Sequence, residues 1–172
     1  MSELVPVFTK DEIQRVVTAA ARRISRDYKG RNRVLVGVLN GAFIFLADLA
    51  RALSIPAQID FVRVASYGAG TTSSGNLSLT KDLELDVRDK DVLIVEDIVD
   101  TGMTLSRLMD HLKSFGPLSV KVCALIDKRE RREHTVPVAY VCQVVQEGFL
   151  VGYGLDYAED YRSLPEIYHL KL

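Results

Sequence analysis

Glu96, Asp97 and Asp100 fall within one five-residue stretch, and Thr101, Gly102, Met103 and Thr104 follow without a break. Carboxylates accept hydrogen bonds and cannot donate them, so the Glu96–Asp97 pair suits a ligand that offers hydroxyl groups. The hydroxyls of Thr101 and Thr104 do the reverse and offer donors to an anion. Gly102 lets the main chain come close to a ligand. An acceptor pair beside a donor turn describes a sugar phosphate held at both ends. A ribose 5-phosphate fits, with ring hydroxyls on Glu96 and Asp97 and its phosphate on residues 100–104. An ordinary strand–turn–helix with Asp100 as N-cap would explain the turn, but not the acid pair before it.

The elements that must position these groups are legible around them. Val92-Leu93-Ile94-Val95 is an aliphatic run bounded by charge, which reads as a buried strand. From Met103 the spacing changes, and Leu105, Leu108, Met109 and Leu112 recur at helical intervals. The turn therefore lies where a strand feeds a helix N-terminus, whose N–H groups and positive dipole end favour a phosphate. It is not a Walker loop, since no Gly-Lys-Ser/Thr follows and three acids crowd the site.

Upstream, Thr9-Lys10-Asp11-Glu12 is a capping box, and Ile13, Val16, Val17, Ala20, Ala21 and Ile24 form the apolar stripe behind it. This first helix is expected to end near Lys29-Gly30. Residues 33–39 read as a buried strand, followed by Asn40-Gly41, a helix over about 42–53 and a strand over 58–65. Strands alternating with helices predict an α/β fold with a mostly parallel sheet and right-handed crossovers. Ligands in such sheets sit at the carboxyl ends of the strands, where Asn40-Gly41 and Glu96-Asp97 fall. Residues 66–76 are nearly devoid of apolar side chains and rich in glycine and hydroxyls, as suits a lid. Leu77-Ser78-Leu79 and Leu83-Glu84-Leu85 read as its returning arm. Phe115-Gly116-Pro117 stops the next helix. Residues 120–126 form a further strand ending in Asp127-Lys128-Arg129, and 138–145 form another. In 127–133 four cations and three anions leave a net +1, the mark of a solvated loop rather than a nucleic-acid patch.

A length of 172 residues predicts a single domain over 1–172 with room for a proper core. The net charge of −1 gives no general attraction to nucleic acid or anionic membrane. No apolar stretch reaches the ~18 to 20 residues of a membrane span, and the first six residues lack the pattern of a signal peptide. Cys123 and Cys142 each lie in an apolar run and read as buried thiols in a reducing cytoplasm. His111, His134 and His169 have no metal-ligand spacing.

The second informative stretch is Gly148-Phe149-Leu150-Val151-Gly152-Tyr153-Gly154-Leu155-Asp156-Tyr157, followed by Arg162. Read alone it is a strand interrupted by glycines, with Phe149 and Tyr153 as ordinary core aromatics. Glu-Asp-Ile-Val-Asp-Thr-Gly-Met-Thr, however, resembles the phosphoribosyl-pyrophosphate signature of type I phosphoribosyltransferases. The C-terminal string closely resembles the Phe-x-Val-Gly-Tyr-Gly-Leu-Asp-Tyr signature of the hypoxanthine-guanine branch. With Ser66-Tyr67, Lys128 and Leu39-Asn40-Gly41, the resemblance runs in consistent order over residues 34–165.

That resemblance implies a central sheet flanked by helices, a small hood formed by the terminal segments, and a flexible active-site loop beginning at Ser66 and Tyr67. It implies a purine-salvage transferase acting on a 6-oxopurine and phosphoribosyl pyrophosphate. Glu96 and Asp97 would hold the ribose hydroxyls, and Asp100, Thr101, Gly102, Met103 and Thr104 the 5′-phosphate. Asp100 would also be the general base at the purine N7. Lys128 would donate to the exocyclic oxygen, Phe149 stack on the ring, and the backbone of Leu150 read its edge, with Asp156 close by. Mg²⁺ would be shared by Asp156, Glu96 and Asp97 with the pyrophosphate, which Arg162 and the Leu39-Asn40-Gly41 turn would meet. In the family that turn contains a non-proline cis peptide at the Leu39-Asn40 position. Asn40 and Met103 stand where some members carry lysine, so magnesium and Arg162 must neutralise more of the charge. The resemblance further implies a homodimer or homotetramer. A regulatory RNA-binding protein of the same fold would need a basic face that this near-neutral chain lacks, and transfer to adenine or a pyrimidine fits Lys128 poorly.

Overall fold

The computed structural model describes residues 2–65 and 77–172. Its main sheet has six strands: β2 (Arg33–Leu39), β3 (Gln58–Val64), β4 (Leu79–Lys81), β5 (Asp91–Val99), β6 (Ser119–Lys128) and β7 (Tyr140–Val145), in the order β4-β3-β2-β5-β6-β7. Pairing is parallel from β3 through β7, and β4 is antiparallel at the edge. A second sheet of three antiparallel strands, in the order β1-β9-β8, joins the two ends of the chain through β1 (Glu3–Phe8), β8 (Leu150–Val151) and β9 (Ile167–Lys171). This is the hood expected from the terminal segments. Pro6 sits in its edge strand β1, where the missing N–H is tolerated.

Consecutive aliphatic residues in β2 and β5 work because alternate side chains enter different cores. Leu35, Leu93 and Val95 join α1 (Lys10–Asp27) and α2 (Phe43–Ala52) on one face, together with Leu150, Tyr153 and Ile167 from the hood. Val34, Val36, Val92 and Ile94 join Leu105, Leu108, Met109 and Leu112 of α3 (Met103–Lys113) on the other. The capping box of α1 is present, with the Glu12 N–H donating to Thr9 Oγ1 at 3.2 Å and the Thr9 N–H to Glu12 Oε2 at 2.8 Å.

Several boundaries differ from the sequence reading. Helix α1 stops at Asp27, and the chain then turns through Gly30 at φ +74. Strand β5 does not end before the acids. It continues to Val99 because Glu96, Ile98 and Val99 still pair with Ala124, Ile126 and Asp127 of β6. For the same reason Asp127 and Lys128 belong to β6 rather than to the loop after it. Strand β7 starts at Tyr140, after Pro137. Of the two expected segments of the returning arm, Leu77-Ser78-Leu79 meets the strand Leu79–Lys81 only at its last residue, and Leu83-Glu84-Leu85 is not a strand. There the N–H groups of Glu84 and Leu85 donate to the buried carboxylate of Asp60 at 2.8 and 2.9 Å instead of to a neighbouring strand. Ser66, Tyr67 and the rest of 66–76 lie outside the described residues. Among the described residues no helix is long and apolar enough to cross a membrane.

Candidate active site

Strand order decides what can meet. With β2, β5 and β6 adjacent, the turn 39–41, the acids 96–100 and Lys128 all lie at the carboxyl end of the central sheet. The Leu39-Asn40 peptide is cis. Gly41 follows it, and the Asp97 carboxylate packs so tightly against Gly41 Cα that a methyl group there would collide with Asp97 Oδ2. On its other side the Gly41 carbonyl faces Gly154, where a methyl would collide in the same way. Arg162 Nη1 donates to the Gly154 carbonyl at 2.8 Å, and Arg162 Nη2 reaches Asp156 Oδ1 and Glu159 Oε1, each at 3.2 Å. Asp156 also accepts from the Glu159 N–H at 2.9 Å. Asp97, Gly41, Gly154, Arg162 and Asp156 thus form one contiguous cluster from three separate stretches of chain.

Glu96 and Asp97 are adjacent in β5, and their interaction is unfavourable when both are charged. Burial and then the Asp97 charge push Glu96 well above the usual carboxylate range. Burial also raises Asp97, against the pull of its hydrogen bonds and the positive charge of Arg162. The pair therefore resists full ionisation until something supplies donors or positive charge. Ligand hydroxyls, a cation or both would do so.

The turn after the acids has a fixed shape. Gly102 adopts φ +84 and precedes α3, and the Met103 N–H donates to Thr101 Oγ1 at 3.3 Å. Gly102 has a packing reason as well. A side chain there would meet the His134 carbonyl at 2.5 Å, so the glycine admits the loop 129–136 rather than making room for a ligand alone. That loop is tied down by the N–H groups of Glu133 and His134, both donating to the Thr101 carbonyl at 2.9 Å. Arg132 braces it from beneath. Its Nε donates to the Asp100 carbonyl at 2.8 Å, and its Nη2 reaches the Val99 carbonyl at 3.2 Å and the buried Asp127 carboxylate.

Asp100 is not free in this state, because its carboxylate is ion-paired with Arg131. Lys128 is 7% exposed, and its ammonium lies 3.6 Å from Glu130 Oε2. Phe149 is 48% exposed and packs edge-on against Tyr157, with ring centroids 5.6 Å apart. Leu150 belongs to the edge strand β8. Among the described residues no group of three or more His, Cys, Asp or Glu could hold a metal, so Glu96, Asp97 and Asp156 do not form a ready-made cage. Their all-carboxylate chemistry suits Mg²⁺ when a ligand supplies further oxygens. Sequence reasoning missed Arg131 and Arg132, which look like surface charges. The available signal was Asp127, an acid at the end of a buried strand that requires a cation. A separate recess of about 710 Å³, between α1, α2 and Ser163–Pro165, contains none of the expected site residues.

A glycine turn between a strand and a helix, an acid pair and a cis-peptide turn, gathered under a hood of terminal strands, are the combination shared by a class of sugar-phosphate transferases. The model of the phosphoribosyl transferase domain matches residues 8–158. The hypoxanthine phosphoribosyltransferase of Salmonella typhimurium is 45% identical over 158 residues, covering 91% of this chain and 89% of the relative. The hypoxanthine-guanine phosphoribosyltransferase of Dictyostelium discoideum is 43% identical over 169 residues, covering 96% and 94%. The crystal structure of a hypoxanthine-guanine phosphoribosyltransferase from Bacillus anthracis superposes with a TM-score of 0.92 at 36% identity, covering all of both chains. This chain belongs to the type I phosphoribosyltransferase family, in its hypoxanthine-guanine branch.

Proposed function

We propose that the chain transfers the phosphoribosyl group of 5-phospho-α-D-ribose 1-diphosphate to hypoxanthine or guanine, giving IMP or GMP and diphosphate. The observation that supports this reading is the contiguous cluster of Asp97, Gly41, Gly154 and Arg162, in which a carboxylate, a cis-peptide turn and a guanidinium meet as a sugar diphosphate would require. The bond from C1′ to the diphosphate oxygen breaks, and a bond from C1′ to purine N9 forms. Asp100 takes the proton from N7. Glu96 and Asp97 orient the ribose, residues 101–104 seat the 5′-phosphate, and Arg162 with the 39–41 turn receives the diphosphate. Asp156, Glu96 and Asp97 together with the substrate would hold Mg²⁺, which would supply charge neutralisation on the leaving group. Residues 1–172 act as one domain in a reducing cytoplasm and assemble as a homodimer or homotetramer.

Lys128 carries the choice of base. An ammonium donates to the 6-oxo group of hypoxanthine, guanine or xanthine but meets a donor in the 6-amino group of adenine. A mismatch at a buried polar contact costs ~1 to 3 kcal/mol, and more for a charged group. Adenine is therefore expected to be at least about a hundredfold poorer in kcat/KM. Xanthine should be weaker than the other two oxopurines. A spectrophotometric assay of all four bases with the diphosphate and Mg²⁺ tests this, and robust turnover of adenine overturns it. Chelation should abolish turnover while leaving the melting curve of the ligand-free protein in place. A large drop in Tm on chelation would instead indicate a structural metal.

A further inference from the structure

Arg131 has a fixed root and an exposed side chain. The backbone just after it is pinned to the phosphate turn, since Glu133 and His134 both donate to the Thr101 carbonyl and Arg132 donates to the Asp100 and Val99 carbonyls. The Arg131 side chain is 64% exposed, and its guanidinium closes on Asp100, which is 25% exposed. Both the Nε and Nη2 groups of Arg131 engage the carboxylate, one on each oxygen. A carboxylate occupied in this two-pronged way has fewer lone pairs left to accept a proton from a purine. Yet Asp100 opens the very turn that takes the phosphate. Met103 brings no positive charge there, and a phosphate carries more charge than one carboxylate. The guanidinium held at Asp100 stands at the head of that turn, and a phosphate seated on the turn would draw it away from the carboxylate.

We propose that Arg131 is shared between Asp100 and the 5′-phosphate, so that seating the phosphate releases Asp100 to receive the purine. This rests on the reading of Asp100 as the purine-facing base. The two ligands are then coupled through Arg131 without any backbone movement. An exposed ion pair is weak, so the coupling is modest, about three- to fivefold.

Calorimetric titration of hypoxanthine, with and without saturating ribose 5-phosphate, tests the proposal on the unmodified protein, R131Q and R131K. In the unmodified protein, ribose 5-phosphate should tighten hypoxanthine binding about three- to fivefold. In R131Q, hypoxanthine should bind with the tighter affinity from the start, the coupling should vanish, and ribose 5-phosphate should bind more weakly. R131K keeps the charge and should keep part of the coupling. Coupling that persists unchanged in R131Q, or a base affinity that falls in R131Q without sugar phosphate, overturns the proposal. Hypoxanthine that fails to bind the unmodified protein even at saturating ribose 5-phosphate overturns the substrate reading as well, and so separates the two failures.

Discussion

The turn over 96–104 and the hood segment over 150–166 meet at one cluster through Gly41, but they take their shapes from different sources. The turn is made largely by near neighbours, namely a strand that alternates between two cores, a glycine in the left-handed region and a threonine hydroxyl accepting from the next helix, with the loop 129–136 packed on it at Thr101 and Gly102. The hood segment is made by remote ones. Gly152 and Gly154 have φ of +97 and +98, and side chains there would collide with the carbonyls of Glu166 and Gly41. Tyr153, Ala158, Glu159 and Tyr161 also hold positive φ. Such a path needs the surrounding structure to over-determine it. The difference teaches that substitutions in the turn should change chemistry and leave the fold alone. Those in the hood should change position first and chemistry only as a consequence.

The largest expected effect is in the turn. Asp100→Asn preserves size and hydrogen-bonding shape but removes the base, so kcat should fall by about 10²- to 10⁴-fold. Nucleoside monophosphate affinity and Tm should stay close to the original. A parallel loss of Tm would show that the turn is as dependent on its surroundings as the hood.

Gly154→Ala is the matching change in the hood. It adds a collision with the Gly41 carbonyl to a strained φ, at a cost of about 1 to 3 kcal/mol. For a chain of this size that lowers Tm by ~2 to 4 °C per kcal/mol. Because Gly41 also carries Asp97, KM for the phosphoribosyl diphosphate should rise more than KM for the base. Gly30→Ala is the control, since its φ of +74 is similar but nothing lies within 4 Å of the added methyl. It should lose some stability and keep both KM values. Equal kinetic effects from the two substitutions would remove the collision from the argument.

This division also explains what the sequence could reveal. Strand β5, helix α3 and the acids between them were legible because periodicity and turn chemistry are local signals, and the same holds for the α1 capping box. The extension of β5 and β6 through Glu96, Asp97 and Lys128 was not, because it depends on ladder partners remote in sequence, Ala124 for Glu96 and Val145 for Lys128. Neither was the pairing of β1 with β9, which joins opposite ends of the chain. Arg131 and Arg132 looked like solvated charges because their partners, Asp100, Val99 and Asp127, become neighbours only once β5 and β6 lie side by side. The glycines of the hood were visible as a motif, but their reasons lie in Glu166 and Gly41.

A smaller effect tests whether locality, rather than distance from the chemistry, is what matters. Thr9 lies between β1 of the hood sheet and α1, yet its capping box is entirely local. Thr9→Ala should cost about 1 kcal/mol, read as a small drop in Tm, with kcat and both KM values unchanged. A kinetic effect would mean that the entry angle of α1 reaches the site through the Lys10 N–H and its 2.9 Å bond to Glu166.

A small expected effect on turnover carries the sharpest sign in stability. In the folded protein burial and the Asp97 charge hold the Glu96 carboxyl well above its ordinary value of 4.5. The folded state therefore keeps a proton that the unfolded chain has already released. Stability must fall as pH rises from about 4.5 toward the raised value, since the folded state binds the more protons across that window. Glu96→Gln removes this titration. The variant should melt above the unmodified protein at pH 7 to 8, and the gain should vanish at pH 4 and below, where Glu96 is protonated in both states. The amide also offers the ribose a poorer acceptor, so KM for the phosphoribosyl diphosphate should rise while Tm at neutral pH rises with it. Melting curves across pH, beside kinetics at one pH, measure both. A Tm difference that stays constant with pH, or reverses so that the variant is the less stable at pH 7, would show that the acid pair is not strained in the ligand-free protein. The turn would then owe nothing to the ligand it awaits.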